Sequence, residues 1–447
     1  MNLDLEKLII RGNKPLKGSV NVSGSKNVAL KALVAACLTD EEVIIHNIPL
    51  ITDFIIMAEI IKELGGEVKL IDHSISVRMK DFKKETIQLD KAAEIRTSFM
   101  FLAPLLARVG KANIPNPGGC RIGARPIDRI VEGLYKMGVT VSYSSEDGYF
   151  HAGLGEKGLT ATNYKFSKNT HTGTETMILA SVLAKGKTTL ENAAQEPEID
   201  ELIGLLNLMG SKIRRVENRK IEITGVNKLK GTTFKIKPDR NEVVTFAIAG
   251  IITKGDIFIK DIDRTGISEF LHKLEEAGGG FEEKENGIRF FYKGPLKKTE
   301  VVTSFYPGFM TDWQGPWAML MTKANGVSVI HETIYENRFS YVRELRKMGA
   351  KIKFFNPEVD NPEKIYNFNI HDGKNINHAI KITGPVSLHN AVLKVSDLRA
   401  GATLVLAALA AKGTSIIFGL EHLDRGYGEF YQRLRGLGAQ ILRVKEW

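Results

Sequence analysis

Two cysteines are all that this chain of 447 residues carries, Cys37 and Cys120, and they stand in unrelated surroundings. That scarcity excludes a disulfide framework and a cysteine-rich metal site. Cys37 lies within KALVAACLTD on an apolar helical face and reads as a small buried hydrophobe. No apolar run reaches membrane-spanning length, and MNLDLEKLII lacks the basic start, apolar middle and small-residue cleavage site of a secretory signal. A cytoplasmic protein with no membrane partner is therefore expected. Blocks of like charge are missing too, although the formal net charge is +10, and no nucleic-acid-binding motif occurs. Nucleic acid is not expected as a partner. The basic balance, with a pI near 9.2, favours small anions such as phosphorylated metabolites or nucleotides, or else reflects only a generally basic surface.

What is present is a globular composition, 43% hydrophobic and 26% charged. The length is too great for one ordinary core and predicts two domains. One pattern recurs six times: an apolar helix, a Lys-Gly or similar turn, a β-branched strand, a loop, and an amphipathic helix closing on glycine. The closing residues are Gly65, Gly138, Gly210, Gly278, Gly349 and Gly438, the first five about 70 residues apart, which marks a copied supersecondary unit. Each glycine fits a helix C-cap. Each unit reads as helix, strand, helix, strand, giving an α/β chain. Three units fall in a first domain, 22–237, and three in a second, 1–21 plus 238–447, with LEKLIIRG a strand of the second. The residues at 355–380, rich in Asn, Asp and Pro, read as a surface excursion inserted in the last unit.

Polar residues interrupt the repeat at a few places. PNPGGCRIGARPIDR, residues 115–129, sets Cys120 in glycine-freed backbone beside Arg121, Arg125 and Arg129. Cations bias a thiol toward thiolate, and the flanking prolines suit a mobile lid; an incidental cysteine in a surface loop is the plainer reading. VSGSKNVALKALVAACL puts Lys26 and Asn27 at a helix start, either an anion site or a capped end with Lys26 solvated. The Walker spacing GxxxxGK[ST] is absent. Arg96, in EIRTS, reaches an anion or pairs with Glu94. Asp312, in YPGFMTDWQGPW, lies between Phe309 and Trp313; desolvation there would raise its pKa and suit it to general-base work, while Thr311 or Asp312 could equally cap the next helix. Arg338, Arg399 and Arg425 precede or open helices, where a cation opposes the dipole. Asp397 and Asp424 supply part of the compensation, and a phosphate or carboxylate ligand would supply the rest.

Taken in order, SGSKN, PGGCRIGARPID, YPGFMTD, TIYENRF, SDLRA and HLDRGY resemble the UDP-N-acetylglucosamine enolpyruvyl transferases, from about Leu8 to Val444. The resemblance implies two inverse α/β barrel domains, each of three repeated units in pseudo-threefold arrangement, closing over substrate. It implies transfer of the enolpyruvyl group of phosphoenolpyruvate to the 3'-hydroxyl of UDP-N-acetylglucosamine in peptidoglycan synthesis, without metal or organic cofactor. Carried over by motif, Lys26, Arg125 and Arg399 would hold phosphoenolpyruvate, with Arg425 beside them. Cys120 would act as general acid and form a covalent adduct, the residue that fosfomycin captures. Asp312 would take the hydroxyl proton. Asn27, Arg96, Pro126, Asp128 and Ile334 would help bind substrate, and Arg338 and Asp397 would support the site. Three departures mark a divergent member: NTHTGTETM at 169–177, which brings His171 and Thr172 where the family has a Ser-Val-Gly-Ala-Thr run near the nucleotide; Arg129 at a usually apolar position; and Gly-Pro-Trp at 315–317. Another nucleotide sugar, or a non-catalytic sugar-nucleotide binder, are the rival readings.

Overall fold

The computed structural model describes residues 6–118, 127–368 and 377–445. The six closing glycines have φ between 78° and 107°, the left-handed conformation that ends a helix without a Cβ clash. Five of the six, all but Gly438, lead into more than the single strand expected. Glu67–Ile71 turns back into Ser74–Arg78, Lys212–Glu217 into Lys220–Thr224, and Gly280–Lys284 into Gly287–Phe291, each pair antiparallel. The repeat is therefore helix, strand, helix, hairpin. The sequence reading missed the second hairpin strand because a two-residue turn leaves little punctuation.

Six sheets result among the described residues. In each of the two that border the chain crossings, the central strand pairs antiparallel with the hairpin and parallel with a strand distant in sequence. Val43–His46 lies between Ser74–Arg78 and Thr232–Lys235, and Asp256–Lys260 between Gly287–Phe291 and Lys17–Val20. The chain divides into two units, residues 24–118 with 127–237, and residues 6–23 with 238–445. Each unit holds three of the sheets and its own apolar core. Glu6–Arg11 joins the last sheet of the second unit, between Thr414–Phe418 and Gln440–Lys445.

The helix leading into each central strand is buried almost all round, the mark of a core helix. Every residue of Arg240–Ile252 is buried, and so is nearly all of Leu398–Ala410. Cys37 ends such a helix, fully buried, and burial pushes its thiol up to about 12, so it is inert as expected.

The insertion is a hairpin connection grown long. Phe355 pairs with Ala379, so residues 356–378 replace the two-residue turn that links Ile71 to Ser74 or Lys284 to Gly287. It is a surface excursion only in part, because Tyr366 and Phe368 are 2% and 7% exposed. Leu406→Ala, in the middle of Leu398–Ala410, is expected to cost about 2–5 kcal/mol, read as a lowered calorimetric transition of the second unit; an unmoved transition would contradict this account of the core.

Candidate active site

In the first unit, Ser25 caps the helix Lys26–Ala36 by accepting from the Val28 N–H at 3.5 Å. Lys26 is not solvated. Its Nζ lies 2.7 Å from Asp53 Oδ2, in the first turn of Thr52–Glu63, and the two side chains are largely buried. A cation at a helix start opposes the dipole, and this carboxylate offsets it. Asn27 is half-buried next to it, Arg96 opens the 3-10 turn Arg96–Phe101, and Asp128 is exposed as the first residue of Asp128–Lys136. The Arg129 carbonyl accepts from the Tyr164 hydroxyl at 2.8 Å. Cys120, Arg121, Arg125 and Pro126 lie outside the described residues.

The divergent 169–177 stretch starts the helix His171–Ser181, with Thr170 accepting from Gly173 N–H at 3.1 Å. One turn on, fully buried Glu175 lies 3.4 Å from His171 Nε2 and 3.2 Å from Lys31 Nζ. The sequence carried a signal for this buried group that went unread: a lysine inside VALKALVAACL and a glutamate inside TETMILASVLA each break an otherwise apolar helix.

The second unit brings Asp312, Arg338 and Arg399 together. Thr311–Trp313 form one 3-10 turn before Gln314–Met321, and neither Thr311 nor Asp312 caps that helix. Phe309 and Trp313 flank Asp312 in the chain but pack into the core. Their rings pack on each other and, for Trp313, on Phe270, with centroids 5.5 and 6.2 Å apart. Asp312 Oδ1 meets an Arg338 Nη2 donor and lies 3.4 Å from Arg399 Nε. Burial would push the carboxyl up, but the two guanidiniums, Arg399 foremost, outweigh it and hold Asp312 well below the usual carboxylate range. The expectation of a raised pKa is thus overturned, because sequence neighbours showed the aromatic rings and not Arg338, later in the same repeat, or Arg399, from the next one.

Each arginine is itself fixed. Arg338 Nε donates to Thr311 Oγ1 at 3.1 Å, and Gln314 Nε2 donates to the Arg338 carbonyl at 2.9 Å. Arg399 Nη1 donates to the Tyr427 hydroxyl at 3.1 Å, which in turn shares a 2.9 Å hydrogen bond with Thr245. Asp397 caps Leu398–Ala410, accepting from the N–H groups of Arg399 and Ala400 at 3.0 Å. The Gly-Pro-Trp oddity has a packing reason: a Cβ on Gly315 would stand 2.5 Å from Thr403 Oγ1 of that same helix. Arg425 is half-buried in the turn after Leu420–Leu423, and Asp424 Oδ2 accepts from Arg443 Nη2 at 2.6 Å.

Sequence reasoning missed Glu332. Its buried carboxylate accepts from Thr311 Oγ1 at 2.9 Å and from the N–H groups of Ile334 and Tyr335 at 2.8 and 3.1 Å. Burial pushes this carboxyl up, with Arg338 and these hydrogen bonds opposing. Ile334 is buried at the resulting turn. Among the described residues no three His, Cys, Asp or Glu side chains gather as a metal site, and no helix is long and apolar enough to cross a membrane.

Because the folded pKa of Asp312 is depressed, its stabilising effect is fully present above the unfolded value of about 4 and is lost only as pH falls below that. Melting curves of wild type and Asp312→Asn are expected to differ by a constant amount from pH 8 to about 5 and to converge under strong acid; convergence beginning near neutrality would contradict the two-arginine clamp.

The family model for EPSP synthase (3-phosphoshikimate 1-carboxyvinyltransferase) matches residues 10–434. The UDP-N-acetylglucosamine 1-carboxyvinyltransferase of Koribacter versatilis is 40% identical over 446 residues, covering 99% of this chain and 97% of that one. UDP-N-acetylglucosamine 1-carboxyvinyltransferase 3 of Caldanaerobacter subterraneus is 38% identical, covering 99% and 100%. Among solved structures, the enolpyruvyl transferase NikO from Streptomyces tendae matches with a TM-score of 0.85 at 23% identity, over 99% of this chain and 100% of that one. An EPSP synthase from Acinetobacter baumannii matches with a TM-score of 0.73 at 17% identity, again over 99% and 100%. These structures establish the fold of two inverse α/β barrel domains, and the full-length sequence relatives narrow it further: the chain belongs to the EPSP synthase family and, within it, to the UDP-N-acetylglucosamine 1-carboxyvinyltransferases.

Proposed function

We propose that this chain moves the enolpyruvyl group of phosphoenolpyruvate to the 3'-hydroxyl of UDP-N-acetylglucosamine and releases phosphate, the first committed step of peptidoglycan synthesis, in the cytoplasm. One observation carries the reading furthest. A chain 40% identical to enzymes of that name along nearly its whole length keeps a carboxylate wedged between two buried guanidiniums.

The chemistry rests on those charges. The sugar hydroxyl oxygen attacks C2 of phosphoenolpyruvate, C3 takes a proton from the Cys120 thiol, and the C2–C3 π bond is consumed. Asp312 takes the hydroxyl proton. In the second half the Cys120 thiolate takes the proton back from C3, the double bond re-forms, and the C2–O bond breaks with its electron pair leaving on the phosphate. Lys26, Arg125 and Arg399, with Arg425 nearby, bind the phosphate and carboxylate groups and stabilise the tetrahedral intermediate. Asn27, Arg96, Pro126, Asp128 and Ile334 bind the sugar nucleotide, and Arg338 and Asp397 fix Asp312 and Arg399. Cys120 also forms the covalent adduct with phosphoenolpyruvate.

In the absence of substrate, two guanidiniums make Asp312 a poor base. The anionic groups of phosphoenolpyruvate at Arg399 offset one cation, so basicity rises when the substrate that needs it arrives. A second reading, a different nucleotide sugar as acceptor, is favoured by the buried Lys31–Glu175 pair beneath His171.

Phosphate release from phosphoenolpyruvate and UDP-N-acetylglucosamine tests the reading. Wild type turns over, and Asp312→Asn loses about 10²–10⁴ in kcat. Turnover only with another UDP-sugar would support the second reading, and tight sugar-nucleotide binding without phosphate release would make the chain a non-catalytic binder. Fosfomycin is expected to add its mass to wild type and not to Cys120→Ser. An unmodified wild-type thiol on intact-mass measurement would count against the role of Cys120.

A further inference from the structure

The long connection at residues 356–378 reaches the candidate site by three hydrogen bonds and a cluster of rings. Tyr366, Phe368 and His378 stack with centroids 4.8 to 5.3 Å apart, and all three are buried. The Tyr366 hydroxyl shares a 2.8 Å hydrogen bond with Nε2 of His331, the last residue of the strand Ala324–His331. The next two residues are held by backbone. Glu332 N–H donates to the His378 carbonyl at 2.7 Å, and Asn367 N–H donates to the Thr333 carbonyl at 2.8 Å. Burial holds His331 and His378 below the ordinary imidazole value, so the cluster is uncharged at neutral pH.

From there the contacts run to the catalytic carboxylate. Thr333 is clamped to Thr303 on both sides, its N–H donating to Thr303 Oγ1 at 2.9 Å and its hydroxyl to the Thr303 carbonyl at 2.6 Å. Thr303 begins the segment that ends in Asp312. The Glu332 carboxylate takes the Thr311 hydroxyl, and the same Thr311 oxygen accepts from Arg338, the partner of Asp312. A connection with no task would not bury Tyr366 and Phe368 against this one strand end, and closing so long a loop costs entropy that a two-residue turn avoids.

We propose that the described flanks of the insertion, residues 356–368 and 377–378, form a brace that positions Asp312 through His331, Glu332 and Thr333, with Tyr366 as its anchor. The inference rests on the functional reading above for its kinetic consequence alone. The brace makes this copy of the hairpin a support for the site where the sister hairpins are plain turns. Tyr366 and Glu332 are positioning residues, acting on Asp312 through Thr311 and Arg338.

The test compares wild type with Tyr366→Ala, with Tyr366→Phe as the milder variant that keeps the ring, and with Ile365→Ala, an exposed neighbour in the same insertion. Amide hydrogen exchange in Tyr366→Ala is expected to quicken by about tenfold over both 330–335 and 303–313, and to stay at the wild-type rate over the sister hairpin 280–291. Tyr366→Phe quickens it less and Ile365→Ala leaves it unchanged. In turnover, Tyr366→Ala loses about tenfold to a hundredfold in kcat with KM for both substrates nearly constant. Added to Glu332→Gln it removes little more, because both act along one path. Unchanged exchange over 303–313, an unchanged kcat in an active enzyme, or losses that multiply would each overturn the brace. Exchange needs no turnover, so a wild type that releases no phosphate counts against the functional reading alone, and the exchange pattern still decides the brace.

Discussion

A carboxylate held between two buried guanidiniums is the constraint on which the second unit is built. Desolvating Asp312, Arg338 and Arg399 together is costly, and their mutual attraction repays it only if every remaining donor and acceptor is used. The structure meets that demand with side chains from several elements. Thr311 and Gln314 fix Arg338, Tyr427 and Thr245 fix Arg399, and Asp397 ends the helix on which Arg399 rides. The close approach at Gly315 sets the two helices near enough for the clamp to form. The clamp therefore draws on two repeats of the second unit, with Asp312 and Arg338 from one and Arg399 from the next.

The same clamp gives the site a way to respond to its substrate. A carboxylate whose proton affinity is suppressed by cations is quiet until an anion competes for those cations. Lys26 in the first unit obeys a related logic, since Asp53 occupies a cation that an anionic ligand would otherwise meet at a helix N-terminus.

Much of this was legible in the sequence. The six glycines announced helix ends because only a left-handed residue fits there, and each has the positive φ that the reading required. The apolar helices and the burial of Cys37 followed from composition along one face. What local sequence could not convey was partnership across the fold. Phe309 and Trp313 flank Asp312 in the chain yet pack in the core, while its true neighbours lie 26 and 87 residues further on. Asp424 was read with Arg425 because they are adjacent, and the sequence did not show that Arg443, 19 residues on, also donates to it. Glu332 and Lys31 were passed over because a charged residue in an apolar run looks like noise until its buried partner is known. The 355–380 stretch read as surface, which holds for residues 356–365; Tyr366 and Phe368, buried beyond them, carry its docking.

The account turns on the charge state of one group, and a carbon-13 titration of the Asp312 carboxyl reads it directly, with the signal assigned by its loss in Asp312→Asn. In wild type without substrate the signal is expected to hold its ionised position from pH 8 down to about 4, and in Arg399→Met to titrate within that interval. A wild-type Asp312 signal that titrates above about pH 5 would contradict the claim that the two arginines govern it.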